Sequence, residues 1–113
     1  MRKIEEQIIA AIKARQNFSG GNTIVLACGD TIGVRLYNSL VAASDGAKIV
    51  LSFCDFNTPT TCSRINCLLD ALDVPYYAHI VKRVGCFSSR ADHKIVARGS
   101  LKLQKTGNVW GNV

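Results

Sequence analysis

The chain lacks any long apolar run. Its apolar stretches, such as Ile24 to Cys28, are far shorter than the ~18 residues that a membrane span requires. A secretory signal is not expected either, because Glu5, Glu6 and Gln7 interrupt the apolar segment that follows the basic start. With 113 residues and a hydrophobic share of 48%, the sequence predicts one folded domain in the cytoplasm, with no membrane partner.

Cysteine pairs of the C-x-x-C type are also missing, which removes the usual zinc and thioredoxin signatures. The five cysteines are Cys28, Cys54, Cys62, Cys67 and Cys86. An odd number without a secretory signal argues against a disulfide framework. We therefore expect small buried side chains in a reducing compartment, and no metal site.

Catalytic signatures are missing as well. The sequence has no G-x-x-x-x-G-K-[ST] phosphate loop, no H-E-x-x-H pair and no nucleophile elbow. Ser88, Ser89, Asp92 and His93 supply the letters of a triad, but a triad is defined by geometry and such letters often co-occur by chance. We expect a protein that is not an enzyme and needs no cofactor.

Negative charge is scarce in the last third of the chain. Residues 1–75 carry seven basic and seven acidic side chains and are neutral, whereas residues 76–113 carry seven basic side chains against Asp92 alone. The whole net charge of +6 therefore lies in residues 76–113. Such asymmetry favours a polyanionic partner, most often nucleic acid, although a solvated basic face that only aids solubility fits the composition equally well.

The periodicity of the apolar residues predicts an α+β fold. The predicted order is an N-terminal helix over residues 2–16, an antiparallel β-meander over residues 23–53, a second helix and basic C-terminal β-strands. Ile65, Leu68, Leu69 and Leu72 form the apolar stripe of the second helix, with Thr61 or Ser63 as its cap. The single domain 1–113 thus divides into a neutral scaffold, 1–75, and a basic segment, 76–113.

Within the basic segment, residues 76–84 predict a strand and residues 85–92 a loop. Apolar residues at odd positions and polar residues at even positions predict a further strand over 94–104, with a bend at Gly99. The tail from Thr106 is expected to be loose unless Trp110 packs against the rest of the chain.

The strand predicted over 94–104 would place Lys94, Arg98 and Lys102 on one face at intervals of about 13 Å. A row of cations with neighbouring aromatic rings is typical of single-strand binding, because phosphates meet the cations and bases stack on the rings. The predicted nucleic-acid-binding residues are Lys82, Arg83, Arg90, Lys94, Arg98, Lys102, Lys105, Trp110, Tyr77, Phe87 and Arg35. The second helix is acidic on its outer side, which disfavours a helix-turn-helix.

Two motifs in the scaffold, Gly21-Asn22-Thr23-x-Val25 and Thr58-x-Thr60 to Leu69, carry a resemblance. With the N-terminal helix, they resemble small bacteriophage proteins that carry G-N-T-x-V and T-x-T-x-S-R-[LI]-N-x-L-L. Among these the chain is similar to single-stranded-DNA-binding cofactors of phage RNA polymerases, over roughly residues 2–72. The resemblance implies single-stranded DNA and a phage RNA polymerase as partners, in the cytoplasm of an infected bacterium.

Other interpretations remain open from the sequence. The Thr58–Leu69 motif also has a structural explanation, in which Arg64 and Asn66 tie the loop to the sheet. As the alternative function, the basic face would bind an acidic surface of a host or phage protein, which would make the chain a phage early protein-interaction module. Exposed strand edges in so small a protein also predict a homo-oligomer.

Overall fold

A computed structural model describes residues 3–113, which form two helices and ten strands. In chain order they are α1 (Lys3–Ala14), β1 (Phe18–Gly20), β2 (Thr23–Cys28), β3 (Thr31–Leu36), β4 (Ser39–Ser44), β5 (Lys48–Ser52), α2 (Pro59–Ala71), β6 (Tyr76–Val81), β7 (Val84–Ser89), β8 (Ile95–Arg98), β9 (Ser100–Thr106) and β10 (Val109–Asn112). The predicted α+β class and its helix–meander–helix order are confirmed. Residue 2, where the first helix was predicted to begin, lies outside the described residues.

Seven strands form the main sheet, in the order β1-β2-β3-β4-β5-β9-β10, and every neighbouring pair is antiparallel. Both helices pack against one face of it, since Ile8 and Ile12 of α1 and Ile65 of α2 share the core with Val25 and Val34. The other face carries no buried large side chain and is partly exposed at Leu26 and Val50. A sheet that is covered on one side requires apolar and polar residues to alternate along its strands, and this alternation is what predicted the meander.

A second, three-stranded sheet has the order β6-β7-β8. The chain passes directly from this sheet into the main sheet at Gly99, whose φ of 77° ends β8 and starts β9. The bend predicted at Gly99 is confirmed, but a single strand over residues 94–104 is wrong. Glycine adopts this left-handed backbone without strain, which allows the strand to change sheets.

The loop predicted over residues 85–92 is also wrong, because residues 84–89 form the middle strand of the second sheet. The small side chains of this strand hid it from a pattern of large apolar residues. Position 85 has no room for a side chain, because a Cβ on Gly85 would lie 2.5 Å from the Phe53 ring. The ring of Phe53 therefore packs directly on the β7 backbone and joins the two sheets.

Helix α2 begins earlier than predicted, because its cap is Thr58 rather than Thr61 or Ser63. The Thr58 hydroxyl accepts the Thr61 N–H at 3.2 Å, and Pro59 occupies the first turn, where no N–H is needed. Farther along, the Asn66 side chain accepts from the Ala78 N–H at 2.7 Å and donates to the Ala78 carbonyl at 3.0 Å. This pair of hydrogen bonds fixes α2 against β6.

Arg64 is only 5% exposed and lies between the helices and the main sheet. Its Nε donates to the Thr23 hydroxyl at 2.7 Å, and its Nη1 donates to the Ser63 hydroxyl at 2.8 Å. The Ser63 hydroxyl in turn donates to the Glu5 carboxylate at 2.6 Å. The structural explanation of the Thr58–Leu69 motif is therefore confirmed for Arg64 and Asn66.

The tail folds back as β10 beside β9, and Trp110 is half-buried against the core. Of the cysteines, Cys62, Cys67 and Cys86 are buried as predicted, but Cys28 is exposed at the end of β2. Burial raises the pKa of the Cys62 thiol to about 11. Cys62 therefore behaves as an unreactive core side chain rather than as a nucleophile.

Candidate nucleic-acid interface

The second sheet has one face toward the core and one toward solvent. Ala78 and Phe87, which are partners across β6 and β7, point to the core. The alternate residues point away from it, and cross-strand pairing aligns them. We call this solvent side the second-sheet face; it consists of Tyr77, His79, Val81, Val84, Cys86, Ser88, Ile95 and Arg98. Val81, Val84, Ile95 and Arg98 are exposed on it, whereas Cys86 and Ser88 of the middle strand are buried.

Aromatic rings lie close together at one end of the second-sheet face. The Tyr77 ring centroid lies 5.0 Å from that of His79 and 5.9 Å from that of His93. The Tyr77 hydroxyl is hydrogen-bonded to His93 Nδ1 at 3.1 Å, and His79 Nε2 to the buried Ser88 hydroxyl at 2.6 Å. These bonds hold the half-buried Tyr77 and His79 rings in place.

Two cations project from the opposite end, at the β6–β7 hairpin. Lys82 and Arg83 form its two-residue turn, with φ of 50° and 67°. A turn with two positive φ angles favours Asn-Gly, because a Cβ makes this conformation costly. Lys-Arg is therefore a poor choice for folding at these positions, and costly backbone of this kind is often associated with function.

Further cations surround the second-sheet face. Arg98 lies on β8 opposite Cys86, and Lys94 lies directly before the same strand. Arg90 lies 5.5 Å from the Tyr77 ring centroid and forms an ion pair with Asp70 at 2.8 Å. Within residues 3–113, none of the other cations of this group lies within ion-pairing distance of a carboxylate. Their charge is therefore available to a ligand.

The structure thus brings six of the eleven predicted residues together: Tyr77, Lys82, Arg83, Arg90, Lys94 and Arg98. It places four others elsewhere. Lys102 lies opposite Val50 and Arg35 opposite Leu40, both on the helix-free side of the main sheet.

Lys105 and Trp110 are partners across β9 and β10, at the edge of the main sheet's helix side. The Lys105 ammonium lies 5.8 Å from the Trp110 ring centroid, and the Tyr76 hydroxyl donates to the Trp110 carbonyl at 3.4 Å. The row of Lys94, Arg98 and Lys102 on one strand is therefore wrong, because Gly99 divides it between two sheets.

Phe87 is also wrong as a stacking residue. It is fully buried, and its ring centroid lies 5.2 Å from that of Phe53. A ring packed in the core cannot reach a base. The histidines His79 and His93 were not predicted in the site. His79 lies two residues after Tyr77 on β6, so the alternation of the predicted strand was a signal that could have placed it on the same face. His93 lies in the loop between β7 and β8, which no periodicity in the sequence brings beside Tyr77.

Among residues 3–113 no group of three or more histidine, cysteine, aspartate or glutamate side chains is placed to hold a metal ion. Over the same residues, neither helix is long and apolar enough to cross a membrane.

A family model described as Kyanoviridae Gp96 protein matches residues 1–98, a range that includes the whole second sheet. The chain therefore belongs to this bacteriophage family, and the prediction of a small phage protein is confirmed. No curated protein and no solved structure matches the chain.

Proposed function

We propose that this member of the Kyanoviridae Gp96 family is a non-catalytic single-stranded DNA-binding protein, and that the second-sheet face is its binding surface. One observation carries the proposal: Tyr77 and His79 lie on a face that is exposed at Val81, Val84 and Arg98, with cations at both ends. Phosphates would contact Lys82, Arg83, Lys94 and Arg98. Bases would stack on the Tyr77–His79–His93 rings.

The shape of this surface favours a single strand over a duplex. Three short strands form a narrow platform, and its rings can stack only on bases that are unpaired. Neither helix offers a predominantly basic face to a major groove. Helix α1 carries Glu5 and Glu6 in its first turn against Lys13 in its last, and α2 has no basic residue in its last turn and carries Asp70 on its surface. A duplex would therefore meet the cations but not the rings.

A role in transcription is the finer part of the proposal. Residues 2–72 resemble Drc, the single-stranded-DNA-binding cofactor of a phage RNA polymerase. By that resemblance the protein would hold melted DNA for a phage-encoded RNA polymerase in the cytoplasm of an infected bacterium. Phage membership supports this context.

The β6–β7 turn provides a direct test. Replacing Lys82→Asn and Arg83→Gly installs the preferred turn residues, so the free energy of unfolding should rise by about 1 kcal/mol. The same change removes two cations, so the affinity for an oligo(dT) should fall. The slope of log K against log salt should become shallower by about 1.4.

A matched control lies in the β3–β4 turn. Tyr37 and Asn38 have φ of 50° and 66°, nearly those of Lys82 and Arg83. Tyr37→Asn with Asn38→Gly should therefore also stabilise the protein but leave DNA affinity unchanged. Unchanged affinity in the Lys82/Arg83 variant would contradict the proposed surface. Equal affinity of the natural protein for duplex and single strand would contradict single-strand binding.

A protein-interaction module is the second candidate, and the main sheet supports it. Leu26, Gly33, Ala43, Val50 and Lys102 form one row across five strands of its helix-free side. Leu26 and Val50 are 43% and 48% exposed, so this row offers apolar area to a partner protein. A partner that remains bound after nuclease treatment, with no DNA binding by the pure protein, would favour this candidate.

Homo-oligomerisation stays a prediction. The edge strands of the main sheet are β1 and β10, and pairing through either would extend the sheet. Light scattering of the purified protein, with and without oligo(dT), would give the stoichiometry.

A further inference from the structure

A cleft of about 360 Å³ opens where the two sheets meet. It is lined on the main-sheet side by Ser52 and Ser100, which are partners across β5 and β9, and on the second-sheet side by Val84 and Arg98. The loop after β5 adds Asp55 at the rim. Since Arg98 and Val84 also belong to the second-sheet face, the cleft continues directly from the proposed binding surface.

The groups in this cleft are a mixture of donors and acceptors around an apolar wall. Arg98 offers N–H donors, the Ser100 hydroxyl can donate or accept, and the Asp55 carboxylate accepts only. The Ser52 hydroxyl already accepts the Cys54 N–H at 3.1 Å, which fixes the loop at its base. Val84, which is 42% exposed, supplies the apolar wall.

The loop that carries Asp55 holds a costly backbone conformation. Cys54 and Asp55 have φ of 51° and 64°, two left-handed residues in succession without glycine. The Cys54 thiol donates to the Leu40 carbonyl at 3.4 Å, and the Phe56 N–H donates to the Phe53 carbonyl at 2.8 Å. These bonds hold the loop that carries Asp55 at the rim of the cleft.

We infer that this cleft binds one unstacked nucleobase with an exocyclic amino group, taken from the strand held on the second-sheet face. The inference rests on the proposed function. A pyrimidine is small enough for the volume, and a planar ring would lie against Val84 with its polar edge toward Asp55, Arg98 and Ser100.

Cytosine illustrates the expected selectivity. Its N4 amino group would donate to the Asp55 carboxylate, and its O2 and N3 acceptors would face Arg98 or Ser100. Thymine presents a carbonyl oxygen at the position of the amino group. That oxygen would meet the Asp55 carboxylate, two acceptors with no proton between them, so thymine should be rejected.

The test compares two oligonucleotides, dC15 and dT15, by fluorescence anisotropy with the full chain. We expect dC15 to bind about tenfold more tightly than dT15. In Asp55→Asn the amide can present either its oxygen or its NH₂ group to the base, so the two affinities should become nearly equal. Asparagine tolerates left-handed backbone, which preserves the loop.

Asp30→Asn, in the exposed β2–β3 turn, removes the same charge elsewhere and should keep the preference for dC15. Equal affinity of the natural protein for both oligonucleotides would overturn the nucleobase cleft but leave the proposed function standing. If Asp55→Asn raises the affinity for both oligonucleotides by a similar factor and keeps the preference for dC15, Asp55 acts only through its charge and not by contacting a base. That result would also overturn the nucleobase cleft. Binding of neither oligonucleotide would overturn the proposed function itself.

Discussion

Arg64 and Arg98 show how the scaffold and the second sheet use the same side chain differently. Arg64 is 5% exposed, and two hydroxyls accept its N–H groups. Arg98 lies exposed on the second-sheet face without a carboxylate within ion-pairing distance in the described chain. The first arginine is committed to the fold and the second is available to a ligand, so net charge alone does not locate a binding site.

The two hairpin turns with paired positive φ angles repeat this contrast. In the main sheet, Arg35 Nη1 donates to the Asn38 carbonyl at 3.2 Å, which ties the turn to its own strand. In the second sheet, Lys82 and Arg83 occupy equivalent backbone positions and extend two cations from the tip. Under the proposed function, the costly Lys82-Arg83 turn is retained because its two cations contact phosphates.

The largest expected effect separates Phe87 from Tyr77, two of the three aromatic residues that the sequence placed in one site. Phe87→Ala would leave a cavity beside Phe53, so the free energy of unfolding should fall by about 3–5 kcal/mol in urea denaturation. Phe87→Leu should recover most of that loss. If the Phe87→Ala protein is fully stable but fails to bind DNA, Phe87 belongs to the binding surface and its assignment to the core is contradicted.

The second effect distinguishes the two arginines. Arg64→Ala removes two charge-assisted hydrogen bonds in the interior and should lower the free energy of unfolding by about 3 kcal/mol. Arg98→Ala should change it by less than about 0.5 kcal/mol, because the side chain is exposed. Thermal or urea unfolding of both variants under one condition measures the contrast, and equal losses would remove the distinction between them.

A smaller effect concerns the ring cluster. Tyr77→Leu keeps an apolar side chain but removes the stacking surface, so the affinity for oligo(dT) should fall about tenfold. Tyr77→Phe loses only the hydrogen bond to His93 and should bind within about threefold of the natural protein. If Tyr77→Phe and Tyr77→Leu are equally impaired, the hydroxyl rather than the ring makes the contact.

The last effect is confined to the scaffold and to high pH. Burial raises the pKa of the Cys62 thiol to about 11 from an ordinary value of 9.0. Between these values the unfolded chain loses the proton and the folded chain keeps it, so stability is full below pH 9 and declines as the pH rises toward 11. Urea midpoints at pH 8 and pH 10.5 should show a decline that Cys62→Ala reduces.

The sequence predicted the scaffold well because burial on one side imposes alternation that the residues display. Ile32, Val34 and Leu36 alternate with Gly33 and Arg35 in that way. The first residue of α2 was harder to predict from the sequence. Several hydroxyl residues could serve as the N-cap, and only the backbone angles of Thr58 decide among them.

The second sheet was harder to predict, and so was the site. Its middle strand contains Gly85, Ser88 and Ser89, which resemble a loop until Phe53 is known to pack on Gly85. Because the sequence predicts a loop over residues 85–92, it could not assign Phe87 to the core or indicate the hydrogen bond between the His79 ring and the Ser88 hydroxyl. The charge count located the basic segment, but the change of sheet at Gly99 decides which of its cations share a face.

Two charge-matched triple variants provide the most direct test of the second-sheet face. One replaces Lys82→Asn, Arg83→Asn and Arg98→Gln on the second sheet; the other replaces Arg35→Gln, Lys48→Gln and Lys102→Gln on the helix-free side of the main sheet. Oligo(dT) affinity measured across a salt series should fall at least tenfold for the first variant, with a slope shallower by about 2, and change less than about threefold for the second. Equal losses, or a larger loss for the main-sheet variant, would contradict the second-sheet face as the binding surface.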